Sequence, residues 1–140
     1  MNTLIELYDE RAIENVLAAD MFRPQRIVYL CPTEVAQSRE RQEQIVDFFR
    51  HRGWTPELFF LEASLYKVDR ILRQLLAISE KYPDCALDVT GGSDAELFAA
   101  GLFAAQAIFS NDRAANEASY IRYTNTISVI VNRKEVWWGC

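Results

Sequence analysis

One histidine, His51, and three cysteines, Cys31, Cys85 and Cys140, are all that the 140 residues hold of the side chains that most often ligate zinc. The cysteine count is odd and no pair has CxxC spacing, which argues against both a disulfide framework and a zinc site. Cys31 and Cys85 lie in apolar runs and are expected as core thiols. His51 sits in FFRHRG at the end of an amphipathic stretch, where a surface role at a helix terminus is expected rather than a catalytic base. No histidine triad, metal site or cofactor is therefore expected. Glycine and proline are scarce, at 5 and 4, and half of the residues are hydrophobic, which argues against disorder. No run approaches the ~18 apolar residues of a membrane span, and the opening MNTLIELYDER is acidic where a secretory signal needs a basic start. A cytoplasmic protein is expected. Fifteen Lys and Arg against twenty Asp and Glu leave a net charge of -5, which removes the broad basic face needed to coat duplex DNA or an anionic membrane.

What is present is alternation. Thr3 to Tyr8 is a short apolar run, and Ile13 to Leu17 begins a helical spacing that fades near Phe22. Arg26 to Cys31 is nearly continuous in β-branched and apolar residues, as in a strand covered on both faces, and Pro32-Thr33 ends it. From Ser38 the pattern is amphipathic, with Ile45, Phe48 and Phe49 opposite a solvated charged face, and Gly53 suits a helix end. Thr55 to Glu62 predicts a third strand, Tyr66 to Tyr82 a long helix, Cys85 to Val89 a fourth strand and Asp94 to Phe109 a fourth helix. After the polar SNDRAANEAS, two β-branched runs, Ala118 to Tyr123 and Ile127 to Asn132, predict a hairpin or two adjacent strands. The whole predicts one α/β domain over residues 1–140: a Rossmann-like, mainly parallel sheet of about six strands with helices on both faces.

In such sheets ligands bind beyond the carboxyl ends of the strands, where helix N-termini gather. The candidate loops are Asp9-Glu10-Arg11, Pro32-Thr33-Glu34 and Thr90-Gly91-Gly92-Ser93, the last followed by Asp94. Gly91 and Gly92 permit positive φ and close approach to a ligand, and Thr90 and Ser93 place hydroxyls beside a helix start, which suits phosphate or ribose. The same residues would equally make a tight turn in which Ser93 or Asp94 caps the helix. Asp94 is electrostatically at home at a helix start but would repel a phosphate there. In ELFAAGLFAAQA the small residues favour close packing, and apolar residues around much of the circumference predict a helix buried in the core or partly by a second subunit.

The opening TLIELYDERAIENVLAADMFRPQRIVYLCP, the DVTGG after the fourth strand and the strand-helix order between them resemble the CRISPR-associated Rossmann-fold (CARF) sensor domains. The likeness is greatest to the branch in which such a domain precedes a restriction-like nuclease, and it covers nearly the whole chain. It implies a homodimer whose strand-end loops share a cleft, with a cyclic oligoadenylate, cyclic tetra-adenylate in particular, lying on the two-fold axis. Thr90, Gly91, Gly92 and Ser93 would then hold phosphate or ribose. Asp9, Glu10, Arg11, Pro32 and Thr33 would border bases and sugars, with Arg11 as the expected cation. Ring-binding relatives often carry Lys where this sequence has Asp94. The chain would serve either as the sensor domain of a longer protein or alone. Three readings follow from the resemblance: a sensor in type III CRISPR antiviral signalling, a ring nuclease that cleaves its ligand without a metal, and a scaffold that has lost its ligand.

Overall fold

A computed structural model of the chain describes residues 2–64 and 66–110. Four parallel strands, β1 (Thr3–Leu7), β2 (Arg26–Cys31), β3 (Glu57–Glu62) and β4 (Cys85–Asp88), stand in the order β3-β2-β1-β4. A 3-10 turn at Ala12–Asn15 and α1 (Leu17–Phe22) join β1 to β2, and α2 (Thr33–Ala36) and α3 (Arg39–His51) join β2 to β3. The chain then returns through α4 (Val68–Lys81) to place β4 on the far side of β1, and α5 (Asp94–Ser110) follows. Among the described residues the sheet has four strands, the four expected over that stretch, and the α/β class holds. The two predicted strands at Ala118 to Tyr123 and Ile127 to Asn132 lie outside the described residues, as does Cys140.

Strand alternation sorts the apolar residues between two layers. Ile5, Leu7, Val28, Leu30, Cys85 and Leu87 pack with Ile71, Leu75 and Ile78 of α4 and Ala99, Ala100 and Phe103 of α5. Leu4, Ile27, Tyr29 and Ala86 pack with Ala18 and Ala19 of α1 and Ile45 and Phe49 of α3. Helices therefore cover both faces, which is why β1, β2 and β4 read as near-continuous apolar runs. β3, an edge strand among the described residues, is only half covered, with its central Leu58, Phe59 and Phe60 partly buried. Phe60 stacks on Tyr29 of β2 at 5.0 Å between ring centroids.

The helix ends follow from local chemistry. Ser38 caps α3 by accepting the Arg41 N–H at 3.3 Å, and Gly53 takes φ +79 just beyond its end. α5 is buried on one side only within the single chain. Ala99, Ala100 and Phe103 are buried, whereas Phe98 and Leu102, one turn apart, are 64% and 41% exposed. Cys31 and Cys85 are buried, as expected of core thiols.

Candidate functional site

The strand order reverses at β1: one connection leaves it toward β2, and the returning chain enters β4 on its other side. The loops after β1 and β4 therefore diverge at a topological switch point, the crevice in which open α/β sheets bind ligands. Parallel pairing of Leu4 with Ala86 and Glu6 with Asp88 brings these two loops side by side. They carry Asp9, Glu10 and Arg11 on one side and Thr90 to Ser93 on the other.

Asp9 ties them together. Its Oδ1 accepts the Arg11 main-chain N–H at 2.9 Å and Arg11 Nε at 3.2 Å, and its Oδ2 accepts the Gly92 N–H at 3.2 Å. Its own backbone is clamped by Asn15, whose Oδ1 accepts the Asp9 N–H and whose Nδ2 donates to the Asp9 carbonyl, both at 2.7 Å. Asn15 is buried, and its carbonyl accepts the Tyr29 hydroxyl at 2.8 Å, so the chain of contacts runs from β2 through Asn15 and Asp9 to Gly92. Burial of Asp9 raises its pKa, but the hydrogen bonds from Arg11 and Gly92 and the Arg11 charge outweigh it. The carboxyl is held below its ordinary range.

The two glycines are fixed by crowding. A Cβ on Gly91 would stand 2.8 Å from the Asp9 Cβ and 3.1 Å from the Leu7 carbonyl oxygen. Gly92 has φ +101, and a Cβ there would meet the Leu7 Cβ at 2.8 Å. Close packing of the loop onto the end of β1 thus accounts for both.

Thr90 and Ser93 already have partners. Asp88 Oδ1 accepts both the N–H and the hydroxyl of Thr90, which closes the turn as β4 ends. Ser93 Oγ accepts the Glu96 N–H at 3.2 Å and Glu96 Oε1 accepts the Ser93 N–H at 3.0 Å, a reciprocal capping box at the start of α5. Ser93 is the cap, and Asp94, the first residue of α5, is exposed. Glu96 itself is buried. That burial raises its pKa against the hydrogen bonds from Ser93, and the Asp9 charge adds to the rise.

Beneath the loops, Tyr29, Glu6 and Asp88 are Cα partners across β2, β1 and β4, so three buried polar side chains form a row on one face of the sheet. Burial, followed by the Glu6 and Asp88 carboxylates, pushes the Tyr29 phenol well above its ordinary pKa. Tyr29 therefore stays a neutral donor to Asn15.

The remaining candidates fall into two concavities beside the switch point. Glu10 lines one of about 750 Å³ with Tyr8, Ile13, Arg41, Gln44 and Phe48. Pro32 and Thr33 line another of about 690 Å³ with Glu62, Ser64, Tyr66 and Arg70. The fold thus joins Asp9, Arg11, Gly91 and Gly92 in one cluster and places Pro32 and Thr33 apart from it, at the ends of β2 and β3. Arg11 is 68% exposed along its side chain but engages Asp9 and, at 3.3 Å, Glu14, so its charge is already shared between two carboxylates. Sequence reading missed Asn15, Asp88, Glu96, Tyr66 and Arg70. Two of these carried a signal: Ser-x-x-Glu at 93 to 96 is a capping-box pattern, and Asp88 is a charge inside a buried run.

Among the described residues there is no group of three or more His, Cys, Asp or Glu placed to hold a metal ion, and no helix is long and apolar enough to cross a membrane. No family model and no curated protein matches the chain. Solved structures do. Can2 from Sulfobacillus thermosulfidooxidans, in complex with cyclic tetra-adenylate, matches with TM-score 0.64 and 22% identity over 74% of this chain. Csm6 from Enterococcus italicus, bound to cyclic hexa-2'-fluoro-hexa-dAMP, matches with TM-score 0.58 and 15% identity over 99% of this chain. The alignments span only 29% and 39% of those longer proteins. The switch-point architecture and these two likenesses agree with the sequence resemblance, and in fold the chain is similar to both proteins.

Proposed function

We propose that this domain is a sensor that binds a cyclic oligoadenylate, with cyclic tetra-adenylate as the preferred ring, across the two-fold axis of a homodimer in type III CRISPR antiviral signalling. The observation that carries the proposal is the Asp9–Gly92 hydrogen bond at the switch point, which makes one surface of the two loops that the resemblance assigns to the ligand. The Can2 and Csm6 structures named above each hold a cyclic nucleotide ring, which supports the same reading. The exposed Phe98 and Leu102 on α5 offer an apolar stripe that a second copy would cover.

The electrostatics give the grip a particular character. Asp94 and Glu10 are exposed, and Arg11 is paired with carboxylates. The site is therefore better matched to ribose hydroxyls and base amino groups than to phosphate charge, and main-chain contact at the glycine turn supplies the rest.

The test is incubation of the purified chain with cyclic oligoadenylates of several ring sizes, followed by thermal shift, product analysis and mass by light scattering. Stabilisation by the four-membered ring, recovered intact from a dimer, is the expected result. Linear products would assign ring cleavage instead, and no shift with any ring would leave the domain a scaffold.

A further inference from the structure

The concavity between the ends of β2 and β3 is absent from any reading of the glycine loop, yet it holds the most exposed large hydrophobic side chain of the described residues. Tyr66 is 86% exposed and makes no ring contact among the described residues. Its position is fixed by the turn that carries it: Ser64 Oγ accepts the N–H of Tyr66 at 3.5 Å and of Lys67 at 3.2 Å. The floor is ordered too. Thr33 Oγ donates to Glu62 Oε1 at 2.6 Å, and Gln74 Nε2 donates to the Glu62 carbonyl at 2.8 Å. Arg70, four residues after Tyr66, is exposed and has no ion-pair partner among the described residues.

The volume of about 690 Å³ falls within the range of small-molecule sites. Its charges select the guest. Glu34 and Glu62 outnumber Arg70, so a phosphate is poorly matched. A planar base carrying an amino donor beside a ring-nitrogen acceptor is well matched: its face stacks on Tyr66, its amine donates to a carboxylate and its ring nitrogen accepts from Arg70. Adenine has that edge, and hypoxanthine and uracil present a carbonyl oxygen where adenine or cytosine has the amine.

We infer that this concavity is an adenine-binding pocket with Tyr66 as the stacking residue and Glu62 and Arg70 as the groups that read the base edge. The inference rests on the cyclic oligoadenylate reading, because the pocket opens through Pro32 and Thr33 on the same carboxyl edge of the sheet as the switch-point loops. It makes Tyr66 a specificity determinant for an adenosine of the ring.

Isothermal titration of the whole chain with cyclic tetra-adenylate tests it. Tyr66→Ala is expected to weaken binding by about 5- to 100-fold, the range of base stacking on an aromatic ring, while Tyr66→Phe stays within about twofold. Melting temperature should not move in either variant, because the ring is exposed. A ring with hypoxanthine in place of adenine should bind wild type more weakly, and Glu62→Gln should narrow that difference by adding a donor. Unchanged affinity in Tyr66→Ala overturns the inference. If wild type binds no ring, the sensor reading fails by itself, and titration with adenosine against uridine, followed by ¹⁵N NMR, decides the pocket. Shifts at Ser64, Tyr66 and Arg70 with adenosine alone uphold it, and their absence overturns it.

Discussion

The Asp9 carboxylate accepts the Gly92 N–H at 3.2 Å across 83 residues of sequence, and through this one bond the loops after the first and fourth strands share a single geometry. Removing the carboxylate separates them. Asp9→Ala should lower stability by about 1.5 to 3 kcal/mol, the usual worth of hydrogen bonds to a charged group, in chemical denaturation at pH 7. Asp9 is held below its ordinary pKa, so its ionised form contributes stability above the unfolded value, and that stability is lost as pH falls through the folded value. The wild-type and Asp9→Ala curves should therefore begin to converge as pH falls past the ordinary carboxylate range and close further toward the lower folded value.

Gly92→Ala meets two obstacles at once, a positive φ and the Leu7 Cβ at 2.8 Å. Backbone strain of this kind is about 1 to 3 kcal/mol, and the added contact with a core strand should bring the loss to the upper end of that range. Gly53→Ala is the control. Gly53 also has positive φ, but nothing stands near its would-be Cβ, so its loss should be the smaller of the two in the same urea titration.

Asp94 is exposed at the first position of α5, and the helix start is capped by Ser93. Asp94→Lys should consequently fold, losing only the ~0.3 to 1 kcal/mol of a carboxylate at a helix N-terminus. If ring phosphates pass this loop, the added cation tightens cyclic tetra-adenylate binding and steepens its salt dependence. Titrations at two salt concentrations check both. Unchanged affinity places Asp94 away from the phosphates.

How far the chain could be read in advance depended on whether a feature is local. Arg26–Cys31 emerged with its expected bounds, since burial on both faces writes itself as an unbroken apolar run. The edge strand started later than expected, at Glu57 rather than Thr55, because half-covered residues leave a weaker pattern. The single turn Thr33–Ala36 was invisible, being too short for any period and preceded by a proline. At the site, the loops were legible from glycines and strand ends, but the partners of Asp9 were not. Gly92 reaches it from 83 residues away, and no spacing along the chain encodes that meeting, while Asn15 reaches back six residues through a 3-10 turn too short to leave a period. Arg11 was read as the cation of the site, and its pairing with the neighbouring Asp9 and Glu14 shows only once the turn after β1 is formed.

Glu96 offers a pH test of opposite sign. Its folded pKa lies above the ordinary value because burial penalises the charge, so the fold loses stability as pH rises from the unfolded value through the folded one. Glutamine keeps the oxygen that accepts the Ser93 N–H and carries no charge. Glu96→Gln should thus flatten the stability profile above about pH 4.5 and equal or exceed wild type at pH 7. A variant less stable than wild type at pH 7 and parallel to it at lower pH would show that the charge itself supports the cap.

Cys31 allows a chemical check of the core. Burial, with the Glu96 and Glu62 charges beside it, raises the thiol to about 12, and its Sγ donates to the Leu61 carbonyl at 3.5 Å. Thiolate is the reactive form, so native Cys31 should resist alkylation at pH 8 for as long as the domain stays folded. Peptide mapping after iodoacetamide should find Cys31 and Cys85 modified only when denaturant is added, since both are buried. Rapid native labelling of Cys31 would mean that the end of β2, and with it the wall beside Pro32 and Thr33, opens well below the global unfolding free energy.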